Sequence, residues 1–170
     1  MRGETMTEGL QFDGYRPGTV SGIIGLHMDY YAEAWDFGAL FESKLARELG
    51  AFLDRYDPDR DLFLNAYFPS GELAGSITVD GLEGYGTGAH LRWFIVGSAA
   101  RGTGLGGRLM TRAMDFVDAR DYKRTYLTTF QGLDAARALY DRHGFNLTQE
   151  EAADPWSGTV GLQRFDRVRP

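Results

Sequence analysis

The sequence contains no cysteine. That absence removes disulfide scaffolds, thiolate-bound zinc and cysteine nucleophiles together, and it fits a reducing compartment. Positive charge is also short: 18 Lys and Arg against 24 Asp and Glu leave a net charge of −6. Such a balance argues against general affinity for nucleic acid or for an anionic membrane, and suits a cationic or amine partner better. No uninterrupted apolar run approaches the ~20 residues that cross a bilayer. The first fifteen residues carry Glu4, Glu8 and Asp13 and lack the apolar stretch of a secretory signal. The expected location is the cytoplasm, with no membrane contact. Proline is scarce at 5, and with 23 glycines the total stays below the roughly 25–30% of low-complexity chains. The glycines therefore serve local geometry. What is present is a core: 43% of the 170 residues are hydrophobic and 14% aromatic. A chain of this length makes one ordinary domain and buries about 70% of the surface its unfolded form exposes.

Apolar spacing divides the chain. A polar, aperiodic start over 1–9 reads as flexible, and the folded domain as 10–166. A short strand is predicted at 10–16, ended by Pro17-Gly18. Ile23, Ile24, His27, Tyr30, Tyr31 and Ala34 then recur at helical spacing, as do Leu45, Leu49, Phe52 and Tyr56 up to Asp57-Pro58-Asp59. The period shifts to two over 62–68 and 73–79, joined by Pro69-Ser70-Gly71-Glu72, which predicts an antiparallel hairpin. A nearly all-apolar strand at 90–96 leads into a helix at 104–119. A strand at 124–129, a helix at 133–142 and strands at 145–148 and 159–165 complete the order β-α-α-β-β-β-α-β-α-β-β. This is an α/β domain of about seven strands and four helices, with a mixed, mostly antiparallel sheet.

The chemistry concentrates where the strand 90–96 turns into a helix through Arg101-Gly102-Thr103-Gly104-Leu105-Gly106-Gly107. Glycines let successive amides converge, a helix start adds about half a positive charge, and Arg101 adds a full one, so a pyrophosphate is the natural guest. Gly102-x-Gly104-x-x-Gly107 also satisfies the dinucleotide fingerprint. That motif belongs after the first strand of a βαβ unit, with an acidic residue ending the next strand. Here two helices and several strands precede it, and the next strand ends Leu127-Thr128-Thr129 without a carboxylate. Nicotinamide binding is rejected.

The segment Val96 followed by Arg101-Gly102-Thr103-Gly104-Leu105-Gly106 resembles the acyl-CoA-binding motif of the GNAT family of N-acetyltransferases. Ala136-Arg137-Ala138-Leu139-Tyr140-Asp141-Arg142-His143-Gly144-Phe145 resembles that family's A-x-x-L-Y-x-x-x-G-F segment, and the element order matches the family fold. More loosely, His27, Tyr30, Tyr31, Trp35 and Phe41-Glu42 are similar to acetyltransferase domains fused to MarR-type regulators, here without the DNA-binding half.

The resemblance implies acetyl-CoA as cofactor, no metal, and transfer to a primary amine by direct attack in a ternary complex. It implies that Phe94, Ile95 and Val96, with Thr129 across the sheet split, meet the thioester and pantetheine arm. Arg101, Gly102, Thr103, Gly104, Leu105 and Gly106 would hold the pyrophosphate, and Tyr140 would serve the leaving thiolate. Three departures from the family pattern stand out. Ser98 replaces a frequent proline, Leu133 stands where an asparagine contacts pantetheine, and 90–96 lacks the glutamate that often acts as base. His27 is the leading substitute base by its ordinary pKa near 6.5, set against the reading of a histidine packed on the apolar stripe of its helix, and Glu33, Glu42 and Tyr31 are the other candidates. Tyr31, Glu33, Trp35 and Glu42 are the candidate acceptor contacts. Asp29, Glu33, Asp36 and Glu42 together either capture an ammonium or form a solvated helix face. The alternative function is a CoA-binding or sensor module with weak catalysis. A homodimer is compatible with the sequence.

Overall fold

The computed structural model describes residues 9–155 and 160–170. All but Gly9 of the start expected to be flexible lies outside them. Strand β1 (Gln11–Asp13) is shorter than the 10–16 expected, because the chain turns at Gly14 and caps itself where the Arg16 amide donates to Thr19 Oγ1 at 2.9 Å. Helix α1 (Thr19–Trp35) follows. It buries Thr19, Ile23, His27 and Tyr31 on one stripe of four-residue spacing, and ends at Asp36 in the left-handed region. Helix α2 (Ala39–Asp54) repeats the pattern with Phe41, Leu45, Leu49 and Phe52.

Strands β2 (Leu62–Tyr67) and β3 (Leu73–Asp80) form the expected hairpin. Strand β4 (Ala89–Val96) pairs antiparallel with β3, a single 3₁₀ turn spans Ser98–Ala100, and helix α3 (Leu105–Ala119) crosses to β5 (Arg124–Phe130). Helix α4 (Asp134–Arg142) leads to β6 (Asn146–Glu151) and β7 (Leu162–Val168). The seven strands lie in the order β1-β2-β3-β4-β5-β7-β6, and only β4 and β5 run parallel. The last two strands sit later than the predicted 145–148 and 159–165, whose residue 159 lies outside the described residues. The reason is that β6 is an exposed edge: Gln149, Glu150 and Glu151 pair with β7 through their backbones while presenting no apolar alternation to read.

Strand β3 is buried along its whole length because both faces of the sheet are covered. On one face α3 contributes Leu105, Leu109, Met110 and Ala113 to a core with Ile77 and Phe165. On the other, α1 and α2 bury Ile23, Leu45, Leu49 and Phe52 with Trp93. Each large apolar side chain hidden this way contributes about 1.5–3 kcal/mol. Among the described residues no helix is long and apolar enough to cross a membrane.

Two irregularities in β4 shape everything downstream. Ser76 pairs with Ile95 and Thr78 with Arg92, so the single residue Ile77 stands opposite both Trp93 and Phe94. This β-bulge puts Trp93 at φ 51°, a left-handed conformation that costs a non-glycine residue about 1–2 kcal/mol. It turns Arg92 and Trp93 together toward α1 and α2, while Phe94 and Val96 return to the α3 side. The second irregularity is the parallel ladder, which holds only at Ala89 with Thr125 and His90 with Tyr126. Beyond it β4 and β5 diverge, at the split expected near Val96 and Thr129.

An ion network fixes the bulge. Asp80 accepts from Arg55 at 3.0 and 2.6 Å and from Arg92 at 3.4 Å, and Arg92 donates on to Glu48 at 2.9 Å. The Arg92 guanidinium lies 4.2 Å over the Trp93 ring. Burial alone would raise the Asp80 carboxyl, but hydrogen bonds from Arg55 and the Leu82 amide, with the charges of Arg55 and Arg92, hold it below the usual range. Asp80→Ala leaves two half-buried arginines without their shared partner and is expected to cost about 2 kcal/mol by urea unfolding. A loss under about 0.5 kcal/mol would mean that the network does not hold the bulge.

Candidate active site

The divergence of β4 from β5 opens a cleft of 390 Å³. Its walls are Phe94, Ile95 and Val96 on β4, the turn from Arg101 to Gly106, Thr129 on β5, and Leu133, Leu139 and Tyr140 around α4. The turn is built for close approach. Gly102 and Gly104 take φ of 75° and 84°, and a Cβ on either would meet nothing within 4 Å. Side-chain capping is missing at the start of α3, and its first turn carries no acidic residue, so its leading amides face the cleft without a competing carboxylate. Gly106 matters for another reason: a Cβ there would come within 3.3 Å of Leu139 and 3.5 Å of Phe94, closing α3 onto the cleft wall. Arg101 lies 5.0 Å over the Tyr30 ring and donates to the Val96 carbonyl at 3.3 Å.

A second cavity of 200 Å³ lies on the other face of the split, between α1, α2, β4 and β5. It is lined by His27, Lys44, Glu48, His90, Arg92 and Trp93, among others. The two cavities share Tyr31, Phe94, Thr129 and Tyr140. These four residues are the junction through which a group could pass from one side to the other.

The junction holds two buried phenols. Burial pushes Tyr140 up to about 12, against a hydrogen bond with the Thr129 side chain that favours the phenolate. Burial also pushes Tyr31 up, with the neighbouring phenols of Tyr140 and Tyr30 adding to it. Both side chains therefore keep their protons at neutral pH. Tyr140 is wedged in the core at 5.4 Å from Phe165 and 6.1 Å from Phe145. Tyr31 is packed by Trp35, stacked at 5.3 Å, and by Phe41 and Phe130.

His27 is buried, and its Nδ1 donates to the Ile23 carbonyl at 2.8 Å, since a carbonyl can only accept. Only Nε2 is left to take a proton. Burial lowers the ring to about 4, with the Ile23 hydrogen bond opposing. His90 is stacked on Tyr126 at 4.4 Å, and burial, then the charge of Arg92, lowers it to about 3. Both imidazoles are neutral and weakly basic.

The other candidates from the sequence distribute as follows. Phe94, Ile95, Val96, Arg101, Gly102, Gly104, Leu105, Gly106, Thr129 and Tyr140 line the one cleft. Thr103 does not line it; its hydroxyl donates to the Ala100 carbonyl and pins the turn. Tyr31 and His27 line the second cavity, whereas Trp35 reaches it only by supporting Tyr31. Glu33 and Glu42 line neither cavity, and with Asp29 and Asp36 they are exposed on the outer surface. Lys44, Glu48, His90 and Arg92 were not singled out from the sequence. The signal for them was an arginine inside an otherwise apolar strand and a Lys-Glu pair at i,i+4 on the second helix. Among the described residues no group of His, Asp and Glu is placed to hold a metal ion.

A model of the "Acetyltransferase (GNAT) family" matches residues 20–145, which include both cavities' helices and the whole glycine turn. The chain belongs to this family. It is accordingly an N-acetyltransferase. The GNAT fold is seen again in an acetyltransferase of the family from Staphylococcus aureus, 15% identical, covering 94% of this chain and 99% of that one with a TM-score of 0.73. A GCN5-related N-acetyltransferase from Kribbella flavida is 22% identical over 95% and 99% of the two chains, TM-score 0.70. The ribosomal-protein-S18-alanine N-acetyltransferase from Escherichia coli is 18% identical over 94% and 93%, TM-score 0.65. At these identities the likeness establishes the fold. No curated protein matches the chain.

The buried neutral histidine gives this GNAT domain an acid-side liability. A His27 that titrates near 6.5 when unfolded and about 4 when folded binds its proton more readily in the unfolded chain. Its stability is thus full above pH 6.5 and drains as pH falls toward 4, by on the order of 3 kcal/mol. His27→Gln, which cannot titrate, is expected to flatten the decline of Tm between pH 6.5 and 4.5 in calorimetry. An unchanged slope would place the His27 ring in water.

Proposed function

We propose that the protein transfers an acetyl group from acetyl-CoA to a primary amine, with the cofactor in the larger cleft and the amine in the smaller cavity. The observation that carries this reading is the convergence, in one cleft, of an unpaired β4 edge with a helix start whose two left-handed glycines leave its amides open. The residues fit the cofactor. The amides from Gly102 to Gly106 and Arg101 would hold its pyrophosphate, and the β4 backbone at Phe94 to Val96 would pair with its extended arm. Leu133 gives the arm an apolar neighbour where the family pattern has an asparagine. When bound, acetyl-CoA supplies an activated acetyl thioester whose carbon–sulfur bond breaks as the amine nitrogen gains the acetyl carbon.

The chain's own groups then have three tasks. Positioning comes first, and the junction of Tyr31, Phe94, Thr129 and Tyr140, with both tyrosines buried, supplies it. Second, a proton must be held ready for sulfur. Tyr140 keeps one at Oη at neutral pH, and its raised pKa makes it a polarising donor rather than a strong acid. Third, the amine must lose a proton. Neither His27 nor His90 is basic enough to take it outright, so desolvation among Tyr31, Phe41, Trp93 and Phe130 does part of the work by disfavouring the ammonium form. His27 Nε2 acts as a relay rather than as a strong base. With no cysteine to carry the acetyl group, attack is direct in a ternary complex.

Two variants separate binding from chemistry. Gly104→Asp puts a carboxylate at the α3 start, and CoA affinity by calorimetry is expected to fall about 30-fold, roughly 2 kcal/mol. Unchanged affinity would move the pyrophosphate elsewhere. Tyr140→Phe keeps the ring and its packing while the rate of thiol release drops about 100-fold at saturating substrates. Full turnover in that variant would make Tyr140 a core residue only.

A further inference from the structure

Among the described residues four tyrosines are buried: Tyr31, Tyr67, Tyr122 and Tyr140. The fold uses three of their hydroxyls. Tyr67 Oη donates to the Gly14 carbonyl at 2.8 Å, Tyr122 Oη donates to the Arg60 carbonyl at 2.8 Å, and Tyr140 is hydrogen-bonded with the Thr129 side chain. Tyr31 is the exception. Among the described residues its hydroxyl has no hydrogen-bond partner, and only burial and the neighbouring phenols act on it. A buried donor left unused is costly, and native folds keep few of them. Nor is this hydroxyl sealed into the core: among the described residues the side-chain atoms that are both enclosed and unpartnered are the hydroxyls of Thr78 and Thr125. Tyr31 Oη therefore opens onto the space that Tyr31 borders, which is the junction of the two cavities.

The ring that carries this hydroxyl is held in place. Trp35 stacks on it at 5.3 Å, and Phe130 and Phe41 meet it edge-on at 5.3 and 5.5 Å. A donor fixed by packing needs no reorientation when charge appears in front of it. Tyr31 stands on α1 and Tyr140 on α4, each in the core of a different face of the sheet, so two phenols reach one junction from opposite sides. Tyr140 is assigned to sulfur. Acetyl transfer makes a further demand: as the amine nitrogen bonds the acetyl carbon, a carbonyl electron pair moves onto oxygen, and that charge needs a donor.

We propose that Tyr31 is a catalytic residue, its hydroxyl donating a hydrogen bond to the acetyl carbonyl oxygen and stabilising the negative charge that gathers there. This rests on the acetyl-transfer reading and deepens it. The Tyr31 proton stays on the phenol throughout. When the pair on oxygen returns, the carbon–sulfur bond breaks and sulfur takes the bonding pair, then a proton from Tyr140. The nitrogen gives up one proton by way of His27 Nε2 to water, which balances the one that sulfur gains. Burial raises the Tyr31 phenol, so it remains a donor across the neutral range.

Infrared spectroscopy of bound acetyl-CoA with an isotopically labelled carbonyl reads this hydrogen bond without turnover. Such a bond lowers the C=O stretch, so the bound carbonyl is expected at higher frequency in Tyr31→Phe than in the wild type. Calorimetry on CoA, which has no acetyl carbonyl, should give the same affinity in both proteins, because the ring and its packing are kept. Hydroxylamine, small and largely uncharged at neutral pH, then serves as the nucleophile, and thiol release at saturating acetyl-CoA is expected to fall about 100-fold in Tyr31→Phe. An unmoved carbonyl stretch, an undiminished rate, or matching losses of CoA and acetyl-CoA affinity would overturn the proposal. A maximal rate that holds while more hydroxylamine is needed to reach it would overturn it too, making Tyr31 an acceptor contact. A wild-type protein that shows the shifted carbonyl yet releases no thiol with hydroxylamine or with a panel of primary amines would instead overturn acetyl transfer and leave the hydrogen bond standing.

Discussion

β4 is hydrogen-bonded to β5 for two residues and then leaves it, and the site exists because of that departure. Strand β5 stays paired with β7 from Arg124 to Phe130, so it cannot follow. β4 is turned by the bulge at Trp93 and Phe94, whose extra residue bends the strand and increases its local twist. In a closed sheet the backbone groups from Leu91 to Val96 would be used up by a neighbour. Here they border an open wedge, and a wedge between two strands has two mouths, one on each face of the sheet. Helices α3 and α4 line the larger mouth and α1 and α2 the smaller.

The same bulge sets the chemistry of each side. Phe94 and Val96 return to the α3 face, where Gly106 lets helix and strand close to within contact of Leu139. Arg92 and Trp93 are delivered to the opposite face, where an apolar core would otherwise have been continuous with the pocket. The left-handed Trp93 is strain, and Asp80 and Glu48 offset it by holding Arg92 from two sides, with Arg55 fixing Asp80 in turn. Tyr31 and Tyr140 complete the wedge from opposite faces, both protonated because burial disfavours their charged forms.

The fold and the larger cleft were legible in the sequence because their signals are local. Apolar spacing marked α1, α2 and α3, and a run of glycines at a strand-to-helix turn has few uses besides binding an anion. The hairpin announced itself through Pro69-Ser70-Gly71. The edge strand β6 did not, since an exposed strand carries no alternation. The smaller cavity was the least legible part. Its residues come from α2 and β4, which lie far apart in sequence, and a period-of-two reading of 90–96 assigns Arg92 and Trp93 to opposite faces. Only the bulge, a tertiary feature, puts them on one. For the same reason the acids on the first two helices drew attention that their exposed positions do not support, whereas Lys44 and Glu48 looked like an ordinary helix pair.

Amide hydrogen exchange, followed with and without acetyl-CoA, tests most directly whether the wedge between β4 and β5 receives the cofactor. Peptides covering Phe94 to Val96 and Gly102 to Gly106 are expected to slow markedly on binding, because those amides gain a partner there. The paired region around Thr125 and Tyr126 should stay as it was, its hydrogen bonds being satisfied already. Protection that appears elsewhere while both segments exchange as fast as in the free protein would contradict the assignment of the wedge as the cofactor site.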